Sequence, residues 1–154
     1  MTIRKIQTGE KNPILRKKSA EIKKITGKMR KFFKDLKETM IKVDGLGLAS
    51  PQVGENIRAI AVNLNSGTKN RSVIVMVNPV ILSKSKETNV AEEGCLSLPQ
   101  IFKPVERFSE IIVEYLSPDG EKKGLILTML NARIVQHEID HLDGVLFIDR
   151  AKNN

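Results

Sequence analysis

The chain contains two histidines, and they lie four residues apart in Gln136-His137-Glu138-Ile139-Asp140-His141. Random placement would give that spacing in roughly 1% of cases, so the pair reads as a site rather than an accident. On an α-helix, residues four apart stack on one face, and both rings can reach one metal ion. The pattern His137-Glu138-x-x-His141 is the H-E-x-x-H form, in which the histidines are ligands and the glutamate serves a water molecule. The blander reading, two surface histidines beside a solvated glutamate, fits poorly with a segment that is otherwise half apolar.

The flanking sequence supplies the helix that this pattern needs. Residues 128–142 are helical in period, with Met129, Ile134, Val135 and Ile139 as apolar members and Asp143-Gly144 as the stop. Residues 22–43 carry Ile22, Ile25, Met29, Phe32, Phe33, Leu36, Met40 and Val43 at three–four spacing, which predicts an N-terminal amphipathic helix. Thr26 is its N-cap and Asp44-Gly45 its stop. Lys28, Lys31, Lys34, Lys37 and Lys42 decorate the other side, and read as the solvated back of a core-facing helix before they read as a partner surface.

Residues 57–63 and 72–77 are short and β-branched, with 80–82 continuing after Pro79 and a turn-rich stretch over 63–71. Residues 110–116 and 122–127 flank Ser117-Pro118-Asp119-Gly120 and form a hairpin. The expected fold is α+β: short antiparallel β-sheets packed around a late metal-binding helix, with an N-terminal amphipathic helix, in one domain over residues 1–154.

The apolar fraction of 40% and charged fraction of 29% suit a soluble globular chain. Cys95 is the one cysteine, so no intramolecular disulfide can form, and a reducing compartment is expected. The first ten residues lack the apolar core of a secretory signal, and no apolar run reaches a membrane-spanning length. The expected location is cytoplasmic. The net charge of +8 favours contact with polyanions. With no Trp, one Tyr and no zinc-finger spacing, sequence-specific nucleic-acid recognition is not expected, whereas loose contact with ribosomal RNA is compatible.

A catalytic site of this kind takes three protein ligands and leaves a fourth position open. Metalloproteases with the H-E-x-x-H pattern find the third ligand downstream. Here Gly144 suits the metzincin form, but position 147 is Phe. Of the thirteen residues after His141 none is Glu, and the acids are Asp143 and Asp149. The third ligand therefore lies upstream, and Cys95 in Glu93-Gly94-Cys95-Leu96-Ser97 is the candidate, held as a thiolate. Taken alone, a single cysteine reads as a small buried hydrophobe. A third stretch, Gly45-Leu46-Gly47-Leu48-Ala49-Ser50-Pro51-Gln52-Val53-Gly54, brings backbone close to something and offers the Gln52 amide to a developing oxyanion. It lacks the Lys-Ser/Thr that a phosphate loop requires.

In this order the three stretches resemble the peptide deformylase family, and Asn12-Pro13-Ile14-Leu15-Arg16 is similar to the family's opening segment. The resemblance runs from about residue 3 to residue 150. It implies that Cys95, His137 and His141 ligate one ion, Fe2+ in the cell, for which Zn2+, Ni2+ or Co2+ can substitute. It implies Glu138 as general acid/base, and the Gln52 side-chain amide and Leu96 backbone N–H as oxyanion donors. Gly45, Leu46, Gly47, Gly94, Arg133 and Ile134 would border a pocket for the methionine side chain. The implied substrate is the N-formyl-methionyl end of nascent polypeptides, and the implied products are formate and a free amino terminus. A monomer is expected, and the basic surface is compatible with transient ribosome contact.

Two departures stand out. Ser50 replaces the family's usual second alanine; its small hydroxyl is expected to be tolerated, though it could alter the water structure near Gln52. The chain also stops soon after Phe147-Ile148-Asp149-Arg150, where many bacterial members continue into a helix, so ribosome docking through such a helix is not expected. Two rivals make different demands. An H-E-x-x-H metalloprotease needs a downstream ligand. A basic ribosome- or RNA-associated protein with a structural metal needs a closed four-ligand site, and would bind RNA salt-dependently without turnover.

Overall fold

The computed structural model describes residues 2–151. A five-stranded antiparallel sheet forms its centre, in the order β1-β2-β3-β6-β7. The strands are β1 (Gly47–Ala49), β2 (Ala59–Leu64), β3 (Ser72–Lys84), β6 (Glu110–Leu116) and β7 (Lys122–Thr128). A separate hairpin joins β4 (Thr88–Cys95) to β5 (Leu98–Phe108). The helices are α1 (Pro13–Arg16), α2 (Gly27–Lys42), α3 (Met129–Leu142) and α4 (Phe147–Arg150). A 3-10 turn, Ser50–Val53, follows β1.

The alternation of side chains along β2 explains why the sheet carries a helix on each face. Ile60, Val62 and Leu64 point into one apolar cluster with Val135, Ile139 and Leu142 of α3. Ala59 and Ala61 point into the other, with Phe32, Phe33, Leu36 and Met40 of α2. All six residues of β2 are therefore buried, and its sequence is apolar on both faces except at Asn63, rather than alternating apolar and polar. A third cluster, Leu15, Leu98, Val105, Leu146 and Phe147, packs α1 and α4 beneath the β4–β5 hairpin.

Helix α2 begins at the predicted Thr26 cap, after Ile22 and Ile25, the first two members of the apolar spacing. Thr26 caps it by accepting from the Met29 N–H at 3.2 Å, which starts the helix at Gly27. Ile22 is buried in the same cluster but lies outside the helix. Its backbone N–H donates to the Asn78 side chain at 2.9 Å, and its carbonyl accepts from the Asn78 amide at 2.8 Å. Asn78 has φ +50, at the register shift where β3 passes from Val77 to Val80, so the strand runs through Pro79 as one bulged element.

The predicted hairpin forms in full register, from Glu110 opposite Thr128 to Leu116 opposite Lys122. The β5 strand is the element that local sequence did not show. Pro99, Pro104 and a run of exposed residues hide it, and a two-stranded sheet tolerates them because each strand pairs on one side, apart from the isolated bridge from Val105 to Ala151.

Helix α3 starts and stops where expected, but Met129 is 57% exposed and not a core residue. The Arg58 guanidinium donates to the Leu142 carbonyl at 3.0 Å and to Asp143 at 2.9 Å, closing the C-terminal end of α3. Gln136 clamps the helix to the end of β5, accepting from the Phe108 N–H at 3.0 Å and donating to the Phe108 carbonyl at 2.9 Å.

Candidate metal centre

Two stripes of α3 do different work. Ala132, Val135, Ile139 and Leu142 hold the helix to the sheet, while Ile134, His137, Glu138 and His141 follow the three–four spacing of a second face. That second face meets Cys95, the last residue of β4. A register shift between Glu93 and Cys95 redirects the strand there, and Leu96-Ser97 turns it back into β5. The ligating atoms of Cys95, His137 and His141 all lie within 4.8 Å of one another, and Cys95 Sγ is 3.3 Å from His141 Nε2.

Gln52 reaches the same point from the 3-10 turn. Its Nε2 lies 3.5 Å from Cys95 Sγ and donates to Ser97 Oγ at 3.1 Å, while its Oε1 accepts from the Ala49 N–H at 2.9 Å. The amide is thus fixed at both ends beside the thiol. Ser50 does not face the cleft. It is fully buried, and its hydroxyl donates to the Ala59 carbonyl at 2.8 Å, so it ties the turn to β2 instead of ordering water near Gln52.

Glu138 is buried, and its Oε2 has no hydrogen-bond partner among the described residues. Burial pushes its carboxyl up to about 7, against the opposing pull of His137. The carboxylate fits where it does because Gly47 lacks a side chain: a Cβ at Gly47 would stand 2.6 Å from Glu138 Oε1. A buried acid poised near neutrality and without a partner is suited to exchanging a proton with a bound substrate.

Behind Cys95, His137 and His141 lies a buried ionic network. His137 Nδ1 lies 2.9 Å from Glu93 Oε1. Arg107 grips both oxygens of Glu93, each at 2.9 Å, and Arg133 donates to Glu93 Oε2 at 2.6 Å. Arg107 also donates to Asp140 at 2.6 Å, and Asp140 accepts from Arg150 at 2.6 and 2.9 Å. Burial works against the Glu93 carboxylate, but hydrogen bonds from His137 and Arg107 outweigh it and hold its pKa at about 2. Burial alone would depress His137; its contacts with Cys95 and Glu93 push it up to about 10. Those partners favour positive charge at the ring, which a divalent cation on Nε2 supplies in place of the proton. Burial lowers His141, which suits a neutral ligand.

A cleft of about 250 Å³ opens in front of this constellation. Gly45, Leu46, Gly47, Gly94, Arg133 and Ile134 all line it, together with Gln52, Cys95, Leu96, His137 and Glu138. His141 stands behind them, 1% exposed. The guanidinium of Arg133 is committed to Glu93, the Val105 carbonyl and Asn89. Sequence reasoning assigned no role to Glu93, Arg107 or Asp140, and did not place Leu130 or Glu92 at the cleft wall. The Glu93 of Glu93-Gly94-Cys95 was visible, but its partners lie 14, 40 and 44 residues away on other elements.

The donor set fits a catalytic ion. One sulfur and two imidazoles could hold an ion between them, and Cys95 and His137 line the open cleft.

Comparison with known proteins agrees over nearly the whole chain. Residues 3–154 match the family model for polypeptide deformylase. The peptide deformylase of Pseudothermotoga lettingae is 45% identical over 138 residues, which cover 90% of this chain and 77% of that protein. The crystal structure of peptide deformylase from Thermotoga maritima superposes with a TM-score of 0.92 at 38% identity, covering 99% of this chain and all of that one. A class I type b peptide deformylase from Acinetobacter baumannii, crystallised with Met-Ala-Ser bound, has a TM-score of 0.88 at 34% identity over 97% of this chain and 98% of its own.

Proposed function

Because the chain belongs to the polypeptide deformylase family, we propose that Cys95, His137 and His141 hold one metal ion and that Glu138 moves the protons of the reaction. The enzyme is a metal-dependent hydrolase that removes the N-formyl group from formyl-methionine at the start of nascent polypeptides and releases formate. The observation that carries the residue assignment is the convergence of three ligand atoms, a buried unpartnered carboxylate and a fixed amide donor on one cleft.

When bound, the ion supplies Lewis-acid chemistry, polarising the formyl oxygen and making water nucleophilic near neutral pH. Glu138 takes a proton from the attacking water and returns it to the leaving amine; burial places its pKa in the range where both transfers are accessible. Gln52 Nε2 and the Leu96 backbone N–H donate to the developing oxyanion, each worth about 3 kcal/mol in comparable sites. Glu93 orients His137 through Nδ1, leaving Nε2 for the ion.

The substrate lies between two free strand edges. β1 is an edge of the five-stranded sheet, and β4 pairs with β5 alone. Gly45–Gly47 and 92–94 present backbone from both sides of the cleft, where an extended peptide can add main-chain hydrogen bonds. Gly45, Leu46, Gly47, Gly94, Ile134 and the stem of Arg133 enclose the methionine side chain. Met-Ala-Ser, held by the Acinetobacter relative, has the free amino terminus that this reaction leaves.

The ion is Fe2+, one per chain, and the sulfur–imidazole set also accepts Zn2+, Ni2+ or Co2+. No helix among the described residues is long and apolar enough to cross a membrane. The lone thiol ligand favours a reducing cytoplasm. The enzyme works as a single-domain monomer, and it meets the ribosome transiently through its basic surface. The test is formate release from a formyl-Met tripeptide by anaerobically prepared, Fe2+-loaded protein, with Glu138→Gln as control. Turnover that falls by about 10²- to 10⁴-fold in the control, with metal content unchanged, supports the assignment. Equal turnover in both overturns the role of Glu138.

A further inference from the structure

The positive charge of this protein is concentrated. Residues 17–42 contain ten Lys or Arg against three Asp or Glu, a net +7 out of the chain's +8. Nine of the ten cations are exposed, and Lys37 is half-buried. None of the ten takes part in an ion pair among the described residues, whereas Asp35, one of the three acids, is already held by Arg4. An uncompensated field of this size repels itself and gains from a polyanion.

The field also has a shape. Arg30, Lys34 and Lys37 recur at four- and three-residue spacing, about 6 and 4.5 Å apart along the axis of α2. They border a groove of about 550 Å³ against β3 and the β6–β7 hairpin. Lys123 stands on its far wall, and Asp119 is the one acid that lines it. The apolar side of α2 is spent on the sheet, so the helix has no apolar face to insert into a lipid surface. The sheet separates α2 from α3, so a partner on this groove leaves the catalytic face of α3 open.

We infer that the groove between α2 and the β6–β7 hairpin, with Arg30, Lys34, Lys37 and Lys123 around it, docks the phosphate backbone of RNA independently of sequence. The inference rests on the deformylase reading for its biological sense, because nascent chains emerge from an RNA-rich particle. Docking there raises the local concentration of formylated termini and occupies none of the residues that line the cleft.

Binding of a fluorescent 20-nucleotide oligouridine and of a 20-base-pair RNA duplex would be measured by anisotropy across a salt series. The same assays would be run on Arg30→Gln/Lys34→Gln/Lys37→Gln and on a control of equal net charge, Lys69→Gln/Lys86→Gln/Lys103→Gln. The groove variant is expected to bind roughly tenfold more weakly at moderate salt, and its log–log salt slope on the single strand to fall by about 2. The control is expected to bind as the parent does. Equal weakening in both variants overturns the inference in favour of bulk charge. RNA binding by neither parent nor variants, with capture by anionic phospholipid vesicles that the groove variant loses, replaces RNA with a membrane.

Formate release from a free formyl-Met tripeptide separates the two readings. Parent-like turnover with lost RNA binding in the groove variant supports the docking surface. No turnover in any protein, with RNA binding lost only in the groove variant, removes the deformylase reading and leaves the docking surface standing. A fold loss in the groove variant would show in its melting temperature, in which case the single variant Lys34→Gln decides by its salt slope.

Discussion

Gly47 and Glu138 are matched: the carboxylate of Glu138 occupies the space that any side chain at residue 47 would need, with Oε1 2.6 Å from where a Cβ would stand. Both residues are held, Gly47 by pairing with Val62 in β1–β2 and Glu138 by burial on α3. Gly47→Ala is therefore expected to displace the carboxylate by a few tenths of an ångström or more. Turnover should drop by about a hundredfold, the cost typical of misplacing a reacting group. Metal content and melting temperature, measured together with kcat, should change little; a kcat within twofold of the parent would show that Glu138 relocates freely.

Glu93 is expected to matter to both stability and metal affinity. Its carboxyl titrates at about 2 in the fold and at 4.5 in its ordinary state. In that window the unfolded chain binds a proton that the native protein refuses. The stabilisation is thus complete above about pH 4.5 and is lost as pH falls through 2. Glu93→Gln should flatten this part of the curve of urea midpoint against pH. At neutral pH it should cost about 3–5 kcal/mol, because Arg107 and Arg133 are left in a buried site without their counter-charge. Metal affinity should fall about 10- to 100-fold, as found when the partner of a ligating histidine is removed. An unchanged midpoint at neutral pH would contradict the network.

Ser50→Ala separates packing from chemistry. The hydroxyl serves the Ala59 carbonyl and not the cleft, so its loss should cost about 1 kcal/mol of stability. Deformylation kinetics should stay within about twofold of the parent. A changed KM with an unchanged melting temperature would place the hydroxyl in the substrate's water structure instead.

Gly144→Ala should destabilise the whole carboxyl-terminal corner. Gly144 has φ +73, and a Cβ there would overlap the Arg16 carbonyl oxygen of α1. The left-handed backbone alone costs a non-glycine residue about 1–2 kcal/mol, and the overlap adds to it. Thermal unfolding of the variant should shift down by several degrees. An unshifted melting temperature would mean that the α1 corner is loosely attached.

How much of this could be read before the fold was known depends on the reach of each signal. The helix of the candidate site was legible because its evidence is local: two histidines four residues apart, apolar residues at helical period and a glycine stop all lie within seventeen residues, 128–144. The β6–β7 hairpin was legible for the same reason, since its turn and both strands are contiguous. Cys95 was reached by exclusion, because no suitable ligand follows His141.

What only the tertiary structure decided is what depends on distant partners. Ile22 looks helical by spacing, but Asn78 holds it outside α2 from 56 residues away. Arg107 sits on a strand that two prolines disguise, and nothing in its neighbourhood announces that it will balance Glu93 and Asp140. Ser50 reads as a cleft residue until β2 supplies its acceptor. Hydrophobic period and helix spacing are properties of a short stretch of chain, so sequence alone determines the amphipathic helices, the β6–β7 hairpin and the helix face that carries both histidines. Buried polar groups must instead find partners wherever the fold brings them, so the support behind the metal ligands exists only once the sheet, the hairpin and α3 have come together.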